Sequence, residues 1–215
     1  MTKIKICGIT RLQDALEASR AGADSLGFNF SSISPRMINP ETAKEIIKKL
    51  PPFVESAGIF VDQTLEEINA ICRFCNLDIA QLHHEHYSAE DARSITHAKV
   101  IKVYRPQDDF AVAEVLDFAK ESGVNTFLFD AYQAGMPGGT GKSIKTTLAS
   151  RIFNELDPSC FAILAGGLDA SNVGDAIRST NPYAVDTASG VESAPGLKDP
   201  LKMRAFIRAI RNCGD

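Results

Sequence analysis

Short runs rich in Val, Ile and Phe alternate with longer segments whose apolar residues recur at helical spacing, and the alternation persists along the whole chain. The runs predict eight strands: Lys3–Cys7, Ser25–Phe30, Glu55–Val61, Ile79–Leu82, Val100–Tyr104, Thr126–Asp130, Phe161–Ala165 and Ala184–Thr187. Between them the pattern predicts eight helices, beginning near Arg11, Pro40, Thr64, Ser88, Asp109, Ser143, Ser171 and Pro200. Several open on Thr, Asn, Ser or Asp as N-caps and close near Gly, Asn or Pro. Eight βα units in 215 residues leave about 27 residues each, near the lower limit of a (β/α)8 barrel and too many units for a small open sheet. No Gly-x-Gly-x-x-Gly follows the first strand, as a doubly wound dinucleotide-binding sheet would require, and no linker or charge block divides the chain. The expectation is an α/β chain folded as one (β/α)8 TIM barrel spanning residues 1–215.

In such a barrel function sits at the C-terminal ends of the strands, which makes strand phase informative. A period of two puts Ile4 and Ile6 of the first strand on one face, and Lys3, Lys5 and Cys7 on the other. The apolar face meets the helices, so Cys7 points inward at the rim. In the sixth strand Phe127 and Phe129 share one face, while Thr126, Leu128 and Asp130 share the opposite one. A thiol and a carboxyl are thus expected at one mouth of the barrel. Taken singly, Cys7 also reads as a small buried hydrophobe and Asp130 as a turn or cap residue. Together they suit proton transfer, provided the site lowers the cysteine pKa towards neutrality and raises that of the aspartic acid. Lys5, two residues before Cys7 on the same face, reads either as a cation supporting the thiolate or as an interior lysine bridging buried carboxylates.

The chain carries a formal net charge of −4 and a pI near 5.6, with 44% hydrophobic and 23% charged residues. That balance excludes a disordered or collagen-like polypeptide and lacks the broad positive field of a nucleic-acid binder. The N-terminus enters a strand pattern directly, without a signal-peptide or membrane-spanning run, and the expectation is a cytoplasmic protein with no membrane partner. The five cysteines, at 7, 72, 75, 160 and 213, do not form a disulfide framework. Cys72-x-x-Cys75 lies within a helical pattern and lacks a second pair at zinc-site spacing, so it reads as helix packing.

Glycines supply a second clue. Gly138-Gly139-Thr140-Gly141 follows the sixth strand, Gly166-Gly167 the seventh and Ser189-Gly190 the eighth. Late barrel loops with open backbone N–H groups make a phosphate cradle, although tight-turn geometry alone also uses glycine. Gly141-Lys142-Ser143 resembles the end of a nucleotide-binding P-loop, but the leading glycine would have to occupy position 136, which is Met136.

Lys5-Ile6-Cys7-Gly8-Ile9-Thr10, Ser34-Pro35-Arg36, Gln81-Leu82-His83, Asp130 with Gly138-Gly139-Thr140-Gly141-Lys142, Ala165-Gly166-Gly167-Leu168, and Val185-Asp186 through Ser189-Gly190-Val191-Glu192 together resemble the signature blocks of the phosphoribosylanthranilate isomerase family. The blocks run from first strand to last in the family's order. The resemblance implies a (β/α)8 enzyme of tryptophan biosynthesis performing an Amadori rearrangement of a phosphosugar without metal or organic cofactor. It implies Asp130 as general acid and Cys7 as general base, with Arg36 on the anthranilate carboxylate. His83 and Asp186 are expected to contact the sugar or fix the catalytic groups, and Gly139, Gly141, Gly166, Gly167, Ser189 and Gly190 to hold the phosphate. Members of such a family are monomers or homodimers, and a monomer is expected here.

Two departures stand out. His84 occupies the position after Gln81-Leu82-His83 where the family commonly has glycine, giving His83-His84-Glu85-His86, which reads as a solvated polar turn rather than a metal site. Ser143-Ile144-Lys145 replaces an aromatic followed by Asp-Trp. The alternatives are the related aminoaldose isomerase of histidine biosynthesis, which has an aspartate at the position of Cys7, a dual-activity enzyme, or a non-catalytic phosphosugar-binding barrel.

Overall fold

The computed structural model describes residues 1–130 and 146–214. Eight parallel strands close into a barrel: β1 (Lys3–Ile6), β2 (Ser25–Asn29), β3 (Glu55–Phe60), β4 (Ile79–Leu82), β5 (Lys99–Tyr104), β6 (Thr126–Phe129), β7 (Phe161–Leu164) and β8 (Ala184–Thr187). Each strand pairs with the next, and β8 pairs back with β1 from Lys3↔Ala184 to Ile6↔Thr187, so no edge is left open. Outside lie α1 (Leu12–Ala21), α2 (Pro40–Ile47), α3 (Leu65–Cys75), α4 (Ala89–Arg93), α5 (Ala113–Ser122), α6 (Thr146–Glu155), α7 (Val173–Thr180) and α8 (Pro200–Arg211). A 3₁₀ turn at Ser189–Val191 and a small antiparallel hairpin, β9 (Glu192–Ala194) with β10 (Leu197–Lys198), separate β8 from α8.

The expected barrel is therefore present, and the period of two sorts its side chains as anticipated. Ile4, Ile6, Phe28, Phe60, Phe127 and Phe129 face outward into a continuous apolar layer with the helices. A second, smaller cluster fills the lumen: Ala57, Ile79, Ile101, Val103, Leu128, Ile163, Ala165 and Ala184. Local chemistry sets the helix ends. Thr64 with Glu67 and Ser88 with Asp91 form capping boxes, while Asn39 and Asp199 cap helices that carry Pro at the first turn. Gly22 and Gly123 close α1 and α5 with φ of 106° and 77°.

Several expected strands run one residue too far. Cys7, Phe30, Asp130 and Ala165 lie just past β1, β2, β6 and β7, yet each N–H still donates to the neighbouring strand, as Cys7 does to Thr187 O (2.8 Å) and Asp130 to Tyr104 O (2.9 Å). These residues hold the last rung of the ladder; Cys7, Asp130 and Ala165 turn their side chains to the rim, while Phe30 packs outward on Phe60. The fifth helix begins at Ala113 rather than near Asp109. Phe110 first packs its ring against Tyr104 and Phe129, carrying the chain across the strand ends before the helix starts. The sixth helix is described from Thr146; its expected start at Ser143 lies outside the described residues.

Candidate active site

The C-terminal mouth of the barrel holds a cavity of about 360 Å³. Cys7, Asp130, His83 and Asp186 line it from the ends of β1, β6, β4 and β8, and Arg36 from the loop after β2. Gly166, Gly167 and Ser189 line it from the loops after β7 and β8. Gly190 stands just behind, so close to the Leu168 carbonyl that a side chain there would collide with it. Gly166 and Gly167 have φ of 89° and 60°, a backbone that L side chains rarely adopt. Gly139 and Gly141, also expected at the phosphate, lie outside the described residues.

At and beneath this cavity charge is taken out of water and paired. Lys5 Nζ donates to Asp186 Oδ1 at 3.0 Å, with both side chains buried, which is the bridging role weighed for Lys5 from the sequence. Burial pulls the Lys5 ammonium down, but Asp186 and Cys7 together outweigh it and leave the pKa raised. The Cys7 thiol corrects an expectation. Burial pushes it above its ordinary value, and Lys5 and Lys198, which pull the other way, do not overcome the enclosure. Gly27 of β2 makes room for the thiol, since a Cβ there would stand 2.8 Å from Cys7 Sγ.

His83 Nε2 lies 3.7 Å from Asp130 Oδ2, and its Nδ1 is 3.3 Å from Gln81 Nε2. A neutral ring that accepts from the Gln81 amide at Nδ1 carries its proton on Nε2, on the side of the Asp130 carboxyl. Burial, aided by the Arg105, Lys5 and His84 charges, lowers the His83 pKa to about 3, so the ring is neutral at physiological pH. The adjacent His84 and His86 instead stack at the surface, 2.8 Å apart through Nδ1, while Lys102 Nζ gathers the carbonyls of His84 and Tyr87. That is the polar turn expected of His83-His84-Glu85-His86.

Arg36 crosses directly over Gly8, whose φ of 77° and missing side chain admit it; a Cβ at Gly8 would stand 2.5 Å from Arg36 Cδ. Its Nε and Nη2 donate to the two oxygens of Glu192 at 2.9 and 2.8 Å, and Glu192 Oε1 accepts a further bond from Lys198 Nζ at 2.8 Å. Glu192 and Lys198 were not singled out by sequence reasoning. They sit on an irregular hairpin with no periodicity to betray an inward side chain, and Glu192 stood only as the last letter of a motif.

A closed parallel barrel ringed by helices, with buried titratable groups gathered at the C-terminal mouth beside two glycine loops, defines a (β/α)8 barrel enzyme. Comparison with known proteins narrows the class. The family model described as N-(5'phosphoribosyl)anthranilate (PRA) isomerase matches residues 4–209. An N-(5'-phosphoribosyl)anthranilate isomerase of Pelodictyon phaeoclathratiforme is 71% identical over 211 residues, covering 98% of each chain. The crystal structure of phosphoribosyl anthranilate isomerase from Thermotoga maritima superposes with a TM-score of 0.88 at 35% identity, covering 99% of this chain and 100% of that one. A structure of such an isomerase in complex with reduced 1-(o-carboxyphenylamino)-1-deoxyribulose 5-phosphate gives 0.85 at 33% identity, with the same coverage. The chain belongs to the phosphoribosylanthranilate isomerase family, aldose–ketose isomerases of tryptophan biosynthesis.

Proposed function

We propose that this chain converts N-(5-phosphoribosyl)anthranilate to 1-(2-carboxyphenylamino)-1-deoxyribulose 5-phosphate by acid–base catalysis with Asp130 and Cys7. The carrying observation is their convergence, from β1 and β6, on one cavity that the β7 and β8 glycine loops also line. Asp130, as the acid, protonates the furanose ring oxygen, and the ring opens to an iminium ion. Cys7, as thiolate, removes the C2 proton. The resulting enolamine gains a proton at C1 and loses one from the C2 hydroxyl, giving the ketone, and exchange with water resets Asp130 and Cys7. No bond to the protein forms, and placed proton donors and acceptors contribute on the order of 10² to 10⁴ each.

The remaining residues bind. Arg36 takes the anthranilate carboxylate, as a guanidinium fork suits. His83 flanks Asp130 at 3.7 Å and keeps it against the sugar, and Asp186 reaches the sugar hydroxyls while anchored by Lys5. Backbone N–H groups about Gly166, Gly167, Ser189 and Gly190 receive the phosphate, together with Gly139 and Gly141. Five free thiols suit a reducing, cytoplasmic setting. Among the described residues, no helix is long and apolar enough to cross a membrane.

The test is turnover of freshly made substrate, followed by its fluorescence in the presence of a chelator, across a pH series. The active state pairs a protonated Asp130 with a Cys7 thiolate, so kcat/KM holds level between their pKa values and falls on the alkaline side only above the Cys7 pKa. Because burial raises that pKa, the downturn is expected above the usual cysteine value of about 8.5. No turnover, or turnover abolished by the chelator, would contradict the function; a downturn well below 8.5 would contradict Cys7 as the base.

A further inference from the structure

Arg36 is not free to point where it likes. Its guanidinium meets Glu192 side-on, through Nε and Nη2, and the Glu192 carboxylate is itself pinned by Lys198 Nζ at 2.8 Å and by the Gly196 N–H at 3.2 Å. Lys198 is fully buried and also donates to Ala188 O at 3.1 Å. Burial favours a neutral Glu192, but the bonds from Arg36 and Lys198 outweigh it and hold the carboxyl below its ordinary value. Of the five N–H groups of a guanidinium, side-on pairing occupies two. Of the three left, one on Nη1 and one on Nη2 point from the adjacent, end-on edge and present a second fork, while the third, on Nη1, points back past Cδ. Arg36 lines the same cavity as Cys7 and Asp130.

Charge completes the picture. An isolated Arg36–Glu192 pair is neutral and has little attraction for an anion. Burial lowers the Lys198 pKa against the pull of Glu192; with Lys198 charged in its 2.8 Å ion pair, the cluster holds two cations and one anion, leaving one positive charge next to the end-on edge. We propose that Glu192 is a positioning residue that turns this edge of Arg36 towards the aromatic carboxylate, and that Lys198 restores the charge Glu192 would otherwise cancel. The pair thereby sets the preference for an aromatic amine bearing an ortho carboxylate over one without it. This inference rests on the reading of Arg36 as the carboxylate's partner, and extends it to two residues that never touch the substrate.

Binding separates the two readings. The probes are reduced 1-(o-carboxyphenylamino)-1-deoxyribulose 5-phosphate and the same compound with a plain phenyl ring, titrated against wild type, Arg36→Met, Glu192→Gln and Lys198→Met, with thermal melts to confirm folding. Wild type is expected to prefer the carboxylated probe. Arg36→Met abolishes the preference, and Glu192→Gln lowers it about 10-fold or more, the scale of one charge-assisted hydrogen bond. Lys198→Met lowers it by less. Affinity for the phenyl probe stays within about 2-fold throughout, whereas a merely structural Glu192 would weaken both probes alike. Preference surviving in Arg36→Met would overturn the reading of Arg36. Preference lost in Arg36→Met but kept in Glu192→Gln would overturn the positioning role alone. Should Glu192→Gln fail to fold, Lys198→Met decides: an undiminished preference there overturns the proposal.

Discussion

The barrel has two mouths, and the larger hollow is at the wrong one. The N-terminal mouth holds a cavity of about 650 Å³, the C-terminal mouth one of about 360 Å³. Both are lined by charged side chains. At the N-terminal mouth the pairs are wet: Lys99 and Glu55 stand 3.5 Å apart with side chains 82% and 50% exposed, and Lys3–Asp24 is also open to solvent. At the C-terminal mouth Arg36–Glu192 and Lys198–Glu192 are nearly dry, and so is Lys5–Asp186, which runs through the lumen from Asp186 at that mouth to a lysine that also lines the N-terminal hollow; side-chain exposures are 12% or less. Ion pairs in water are worth little and perturb little, whereas dry ones shift protonation and aim hydrogen bonds. What sets the C-terminal mouth apart is desolvated charge, not volume.

The contrast can be broken by removing one partner at each end. Lys5→Met leaves Asp186 buried without its cation, and is expected to cost about 3–5 kcal/mol of stability in urea denaturation. It also removes a cation that lowers the Cys7 pKa, so the thiolate fraction and kcat/KM at pH 7 fall together. A cost under 1 kcal/mol with unchanged kcat/KM would erase the distinction between the mouths.

A smaller effect comes from His83. Its pKa is depressed in the folded protein, to about 3, so between the unfolded value near 6.5 and that point the unfolded chain binds the extra proton. The stability it contributes is complete above pH 6.5 and is lost as pH falls towards 3, with a slope approaching about 1.4 kcal/mol per pH unit. Comparing wild type with His83→Asn between pH 6.5 and 4.5, above most carboxylate titration, should show that slope only in the wild type. The smallest effect is expected at the wet mouth. Lys99→Met should change stability by under about 1 kcal/mol and leave kcat/KM unaltered; a larger loss of activity would mean that the two ends communicate.

How far the sequence reaches follows the same division. Periodicity and barrel geometry suffice to place Cys7 and Asp130 at one rim and Ile4 and Ile6 under the helices, because a period of two leaves no other choice once the sheet is closed. Lys5 could be read only as one of two roles, since its partner Asp186 lies 181 residues away and register across the β8–β1 seam cannot be counted from the chain. The Arg36–Glu192 tie spans 156 residues between a loop and an irregular hairpin, where no periodicity operates. The direction of the Cys7 shift is out of the sequence's reach for a related reason. A lysine two residues away is visible in the sequence, but the enclosure that outweighs it is built by the surrounding fold.

The central claim is that the thiol and the carboxyl at the dry mouth act on one substrate. Steady-state kcat/KM of Cys7→Ala, Asp130→Asn and the double variant, each checked for a native melt, tests it most directly. The account predicts a loss of about 10² to 10⁴ for each single change, and a double variant little worse than the poorer single, because the two serve one sequence of proton transfers. Activity within a few-fold of wild type in either single variant would contradict it.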